Sequence, residues 1–152
     1  MLTRKTAYAR ILKIQVKNCS YKLLAICEEQ KMSLQEKPQH IFEPDPLQCG
    51  QAVLAMLTGK TVEEIIELCG TERETTLADM KRVLNLCGIN MSDERIAVKY
   101  REDLPEIAVL SLETPKCWHW SLYFKGKFLD PEYGVLEDFP PSNRRYYWKI
   151  KE

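Results

Sequence analysis

The chain has only two histidines, His40 and His119, in 152 residues. Chemistry that needs an imidazole therefore has few places to reside. Net charge is also missing, with 22 Lys and Arg against 22 Asp and Glu. The balance is uneven along the chain. Residues 1–31 hold seven basic residues against two acidic ones, and the remainder holds fifteen against twenty. A mildly acidic body excludes a nucleic-acid footprint, because phosphate binding needs clustered positive charge. No apolar run approaches the roughly twenty residues that span a bilayer. Residues 1–31 lack the apolar segment and small-residue cleavage site of a secretory signal. A soluble, cytoplasmic protein is expected. No C-x-x-C pair occurs, and the only close Cys and His are Cys117 and His119. A structural zinc site is therefore not expected, and no metal or cofactor is called for. The six cysteines, at 19, 27, 49, 69, 87 and 117, could make three bridges. Without a secretory signal, and with a chain long enough to bury a core, free thiols in a reducing compartment are the simpler reading.

At 45% hydrophobic residues the chain suits one domain with a single core. Residues 32–152 form that domain, and residues 1–31 read as a peripheral basic extension, with Met32 as an alternative start. The stretch Asp45-Pro46-Leu47-Gln48-Cys49-Gly50 turns the chain and delivers Cys49 to the first turn of an apolar helix, Cys49 to Leu57. Backbone N–H groups and the positive dipole end at a helix start favour thiolate over thiol and can lower a cysteine pKa from about 8.5 toward neutrality. Thr58-Gly59-Lys60 ends this helix. Thr61 caps a second, with Glu64 completing a capping box and Gly70 as its stop. A third runs from about Thr76, with Asp79 in its first turn, apolar residues from Leu77 to Leu86 at helical spacing, and Gly88 at its end. Strands are then expected at Arg95–Tyr100, Ile107–Leu112, Cys117–Phe124, Lys127–Leu129 and Tyr146–Ile150. Helices followed by antiparallel strands make an α+β fold.

Trp118-His119-Trp120-Ser121-Leu122 places His119 on a strand, and Phe128-Leu129-Asp130-Pro131 closes the next one. If Lys125-Gly126 is a two-residue hairpin loop, His119 opposes Glu132. Asp130 then falls two positions away on the same face, within reach of the imidazole. His40 is the weaker base because it sits in an irregular polar stretch. Cys117, on the same strand face as His119, is the rival nucleophile but has no helix dipole to activate it.

Cys49-Gly50 opening a small-residue helix, His119-Trp120 on a strand, and Asp130-Pro131 with Gly134 behind it together resemble the bacteriocin-processing (double-glycine leader) peptidase family. That family and its relatives belong to the papain-like cysteine protease superfamily, and the resemblance spans about residues 43 to 134. It implies a papain-like fold, with N-terminal helices packed on a C-terminal antiparallel sheet. It makes Cys49 the nucleophile, His119 the general base and Asp130 the residue that orients the imidazole. The expected substrate is a peptide or protein. Papain-like enzymes usually carry an oxyanion-donating glutamine about six residues before the nucleophile, and here Glu43 holds that place. The oxyanion candidates are therefore Glu43, if held neutral, and Gln48 or Gln39 from a shifted loop. The reading is a cysteine-dependent peptidase or isopeptidase. The alternatives are a deamidase or transferase on the same three residues, and a catalytically silent domain that binds a peptide or protein.

Overall fold

The computed structural model describes residues 38–151, so the expectations for the basic extension 1–31 lie outside the described residues. The described chain is α+β. Three helices come first: α1 (Cys49–Thr58), α2 (Val62–Cys69) and α3 (Leu77–Leu86). Seven strands follow: β1 (Asn90–Met91), β2 (Ile96–Ala97), β3 (Ile107–Glu113), β4 (Trp118–Phe124), β5 (Lys127–Asp130), β6 (Gly134–Leu136) and β7 (Arg145–Lys151).

Local chemistry explains the helix boundaries. Both halves of the Thr61/Glu64 capping box are made, and Gly70 ends α2 in the left-handed conformation at φ 74°. Thr76 and Asp79 make the same reciprocal box at the start of α3. Each such cap is worth about 1 kcal/mol. α1 differs, because its N-cap Gln48 makes no side-chain capping bond. Burial holds this helix instead, since all ten of its residues are buried. A fully buried Leu such as Leu54 contributes about 1.5–3 kcal/mol.

The strands form one antiparallel sheet in the order β1-β7-β3-β4-β5-β6, with β2 also pairing β7. Its two faces bury different residues. Ile107, Val109, Leu122, Phe124, Leu129 and Ile150 pack with Val53, Leu54, Met56, Ile65, Met80 and Leu84 of the helices. Ala108, Leu110, Leu112, Tyr123 and Phe128 form a second cluster, with Phe139 and Tyr147 against it. Burial on both faces is why β3 reads as a continuous apolar run and does not alternate. Lys125 and Gly126, at φ 43° and 92°, make the tight two-residue connection between β4 and β5. The pairs Leu122 with Leu129 and Phe124 with Lys127 then fix the register that the sequence argument required.

Three details depart from the sequence reading. The strand expected over Arg95–Tyr100 shortens to Ile96–Ala97, because the chain turns into a 3-10 helix at Arg101–Asp103 ahead of Pro105. Leu86, expected on the apolar face of α3, is 49% exposed at the helix end. β1 and β6 were not expected; they have two and three residues and are strands by virtue of their partners, β7 and β5.

Candidate active site

The turn before α1 is built by Asp45, whose Oδ1 accepts the Leu47 N–H at 3.0 Å and whose carbonyl accepts the Gln48 N–H at 2.9 Å. This brings Cys49 in at the first position of a helix with no side-chain cap. The first-turn N–H groups of such a helix have no intrahelical acceptor, so they are available to an anion. Two glutamines tie the neighbouring loop down onto the helix. Gln48 Nε2 donates to the Glu72 carbonyl at 3.0 Å, and Gln51 Nε2 to those of Thr71 and Arg73 at 3.2 and 2.6 Å. Trp120 Nε1 adds a bond to the Thr75 carbonyl at 3.2 Å, joining the loop to β4. The space beside Gly50 is filled by this packing. A Cβ there would lie 1.8 Å from Thr75 Oγ1 and 3.1 Å from Trp120 Cδ1.

His119 sits on β4 where the ladder to β5 has stopped at Leu122, so the strand edge beside it is open to other segments. Its imidazole is 2% exposed, and Nε2 lies 2.9 and 3.1 Å from the two oxygens of Asp130. Asp130 is itself fully buried and saturated with donors. Ser121 Oγ donates to Oδ2 at 2.7 Å, and the Glu132 and Tyr133 N–H groups donate to Oδ1 at 2.8 and 2.9 Å. With Nε2 committed to Asp130, Nδ1 is the nitrogen left for the sulfur. One donor atom each of Glu43, Cys49 and His119 lies within 4.8 Å of the others.

The titrations follow from this arrangement. Burial works to lower the His119 pKa, but hydrogen bonds to Asp130 and Cys49, with the charges of both, raise it to about 10. Burial works to raise the Asp130 carboxyl, and the bond to and charge of His119, with help from Ser121 and the Tyr133 N–H, hold it below the usual carboxylate range. Glu43 goes the other way. Burial pushes its carboxyl up to about 7; His119 opposes this, and Glu132, Asp130 and Asp45 add to it. Glu43 Oε2 is buried without a hydrogen-bond partner among the described residues.

The predicted residues therefore separate. Cys49, His119, Asp130 and Glu43 come together. Gln48 is committed to Glu72, and Gln39 is exposed. Cys117 is exposed on the groove rim, in a turn closed by Thr114. Among the described residues, Cys49, Cys69 and Cys117 form no disulfide.

Sequence reasoning missed the supports. His40, weighed only as a rival base, places Nε2 2.6 Å from the Asp130 backbone carbonyl and packs edge-on to Phe42 at 4.4 Å between centroids. The Glu43 N–H donates to the Pro131 carbonyl at 2.9 Å. Residues 40–43 are thus strapped along the Asp130 turn, and this carries Glu43 to the site. Ser121 was legible in principle, because the register that aims Asp130 at His119 also puts Ser121 opposite Asp130. Beside these groups runs a groove of about 340 Å³, lined by Pro46, Leu47, Cys49, Trp118, His119 and Trp120 among others. Among the described residues, no helix is long and apolar enough to cross a membrane.

No protein-family model matches the chain. No curated protein matches it either. Solved structures do: a double glycine motif protease from an AMS/PCAT transporter, crystallised in complex with the leader peptide, is similar with a TM-score of 0.52 and 17% identity. The match covers 76% of this chain and 93% of that one. At that identity the likeness is one of fold.

Proposed function

We propose that this protein is a cysteine-dependent acyl-transfer enzyme of papain-like design that cleaves a peptide or amide bond, with Cys49 as nucleophile, His119 as general base and Asp130 as its orienting partner. The observation that carries this reading is the buried imidazole of His119, held at Nε2 by a fully buried Asp130 and placed with a ring nitrogen within 4.8 Å of the Cys49 sulfur. A histidine packed merely for the core has no need of a carboxylate saturated by four donors.

In the proposed cycle the Cys49 sulfur attacks the substrate carbonyl carbon, and His119 Nδ1 holds the proton removed from the thiol. The tetrahedral oxyanion forms beside the uncapped first turn of α1, where the Cys49 N–H can donate. Protonated Glu43 is the second donor. Collapse to a thioester expels the amine, which leaves with the proton from His119. Water then attacks the thioester with His119 as base, releasing the acid and restoring the thiol. An amine in place of water makes the reaction a transfer, and a glutamine side chain as substrate makes it a deamidation. The structural neighbour's leader peptide supports a peptide substrate, for which the groove with Leu47, Trp118 and Trp120 offers apolar contacts.

One observation favours a second reading. Glu43 stands where papain-like enzymes carry a neutral donor, and above pH 7 its carboxylate repels an oxyanion. The domain would then bind peptides without turnover. Iodoacetamide or a peptide aldehyde separates the two. Selective labelling of Cys49 at mildly acid pH is expected for the enzyme. Slow, uniform labelling of all cysteines would sink the catalytic reading.

A further inference from the structure

Among the described residues, the buried Oε2 of Glu43 has no hydrogen-bond partner. An orphan acceptor of this kind in a native structure calls for a catalytic task or an ion. Its neighbours are a thiol and an imidazole, and the three donor atoms lie within 4.8 Å of one another. We infer that Glu43, Cys49 and His119 form a zinc site, with the carboxylate, Sγ and Nδ1 as three protein ligands and the fourth position open to the groove.

Three features support this. The donor set of sulfur, imidazole nitrogen and carboxylate oxygen suits a borderline divalent cation such as Zn²⁺, and not Mg²⁺ or Ca²⁺, which take oxygen. The second feature is the support behind the histidine. Zinc-bound histidines characteristically donate their other ring N–H to a carboxylate, which fixes the tautomer, and His119 Nε2 already lies 2.9 Å from Asp130 Oδ1. The third is charge. A dication neutralises the Cys49 thiolate and the Glu43 carboxylate together, and displaces the proton from His119 Nδ1. Bonds of about 2.0–2.3 Å in a tetrahedral site set ligand atoms roughly 3.3–3.8 Å apart, so donors now within 4.8 Å of one another need to close by up to about 1.5 Å. No spacing rule could reveal such a site, because its ligands come from the strap, a helix start and a strand. Occupied, it ties up the sulfur, so zinc acts as a reversible inhibitor of thiol chemistry here.

The test uses the full-length protein, freed of metal by a chelator and dialysed, then titrated with Co²⁺ and displaced with Zn²⁺. A thiolate-to-cobalt charge-transfer band in the near ultraviolet is expected, together with the intense visible bands of four-coordinate cobalt. C49S should abolish the charge-transfer band, which also excludes Cys117 as its source, and E43Q should weaken binding at least tenfold. A cobalt spectrum without charge transfer, or an E43Q protein that binds as tightly as wild type, overturns the site. The inference goes beyond the acyl-transfer reading and fails separately from it. A selectively reactive Cys49 in metal-free protein with no cobalt charge transfer removes the zinc site alone. Charge transfer without selective Cys49 labelling supports the zinc site and removes the acyl-transfer reading.

Discussion

Replacing Asp130 with alanine tests the centre of the proposed site through stability, with no substrate needed. Asp130 is fully buried and takes hydrogen bonds from His119, Ser121 and the Glu132 and Tyr133 amides at 2.7 to 2.9 Å, with a second contact to His119 at 3.1 Å. Truncation leaves four donors facing a void and an imidazolium without its counter-charge. Breaking one side of a buried pair typically costs about 3–5 kcal/mol, a large part of the roughly 5–15 kcal/mol that holds a domain folded. For a chain of this size that corresponds to a fall in Tm of about 6–20 °C. The penalty depends on pH with a definite sign. The His119 pKa is raised, so its contribution is complete below the unfolded value near 6.5 and fades as pH rises through about 10. The Asp130 pKa is lowered, so its contribution is complete above the unfolded value near 3.9 and fades as pH falls. The gap between wild type and D130A is therefore widest between about pH 4 and 6.5 and narrows toward pH 9. Urea unfolding at pH 5.5 and 9 measures it. A gap below about 1 kcal/mol at pH 5.5 would show that the buried pair does not carry the load assigned to it here.

The remaining predictions concern neighbouring groups. E43Q, assayed with a chelator present, should lose the decline in kcat/KM that wild type shows as pH rises through about 7, because an amide donates at every pH. At pH 8 it should be about tenfold faster, since wild type then has roughly a tenth of Glu43 protonated; equal profiles would remove Glu43 from the oxyanion site. C49A should abolish turnover yet unfold within about 1 kcal/mol of wild type in urea, as one small side chain at a helix start is lost. Cys69, whose thiol burial pushes up to about 11, should resist alkylation under conditions that label Cys49, as mass spectrometry of the digested protein would show. G50A should destabilise by about 1–3 kcal/mol through its clash with Thr75, with part of the loss recovered in G50A/T75A.

What the sequence determined by itself is what short-range physics governs. Thr61 with Glu64, and Thr76 before Asp79, mark helix starts because a cap and its box lie three residues apart. The Lys125-Gly126 connection sets the register of β4 against β5, since a two-residue loop leaves one pairing, and with it Asp130 falls within reach of His119. The cysteine on the first turn of α1 was legible from the turn before it. Tertiary structure alone decided the rest. Whether Glu43 is neutral or charged depends on its burial beside His119, Glu132 and Asp130, groups far from it along the chain. His40 reaches the Asp130 carbonyl across 90 residues of sequence, and Gln48 turns from the site to Glu72 only because the loop after α2 folds back over α1. Such contacts leave no period or spacing in the sequence. Desolvation and charge are properties of everything packed around a group, and they exist only once distant segments have been brought together.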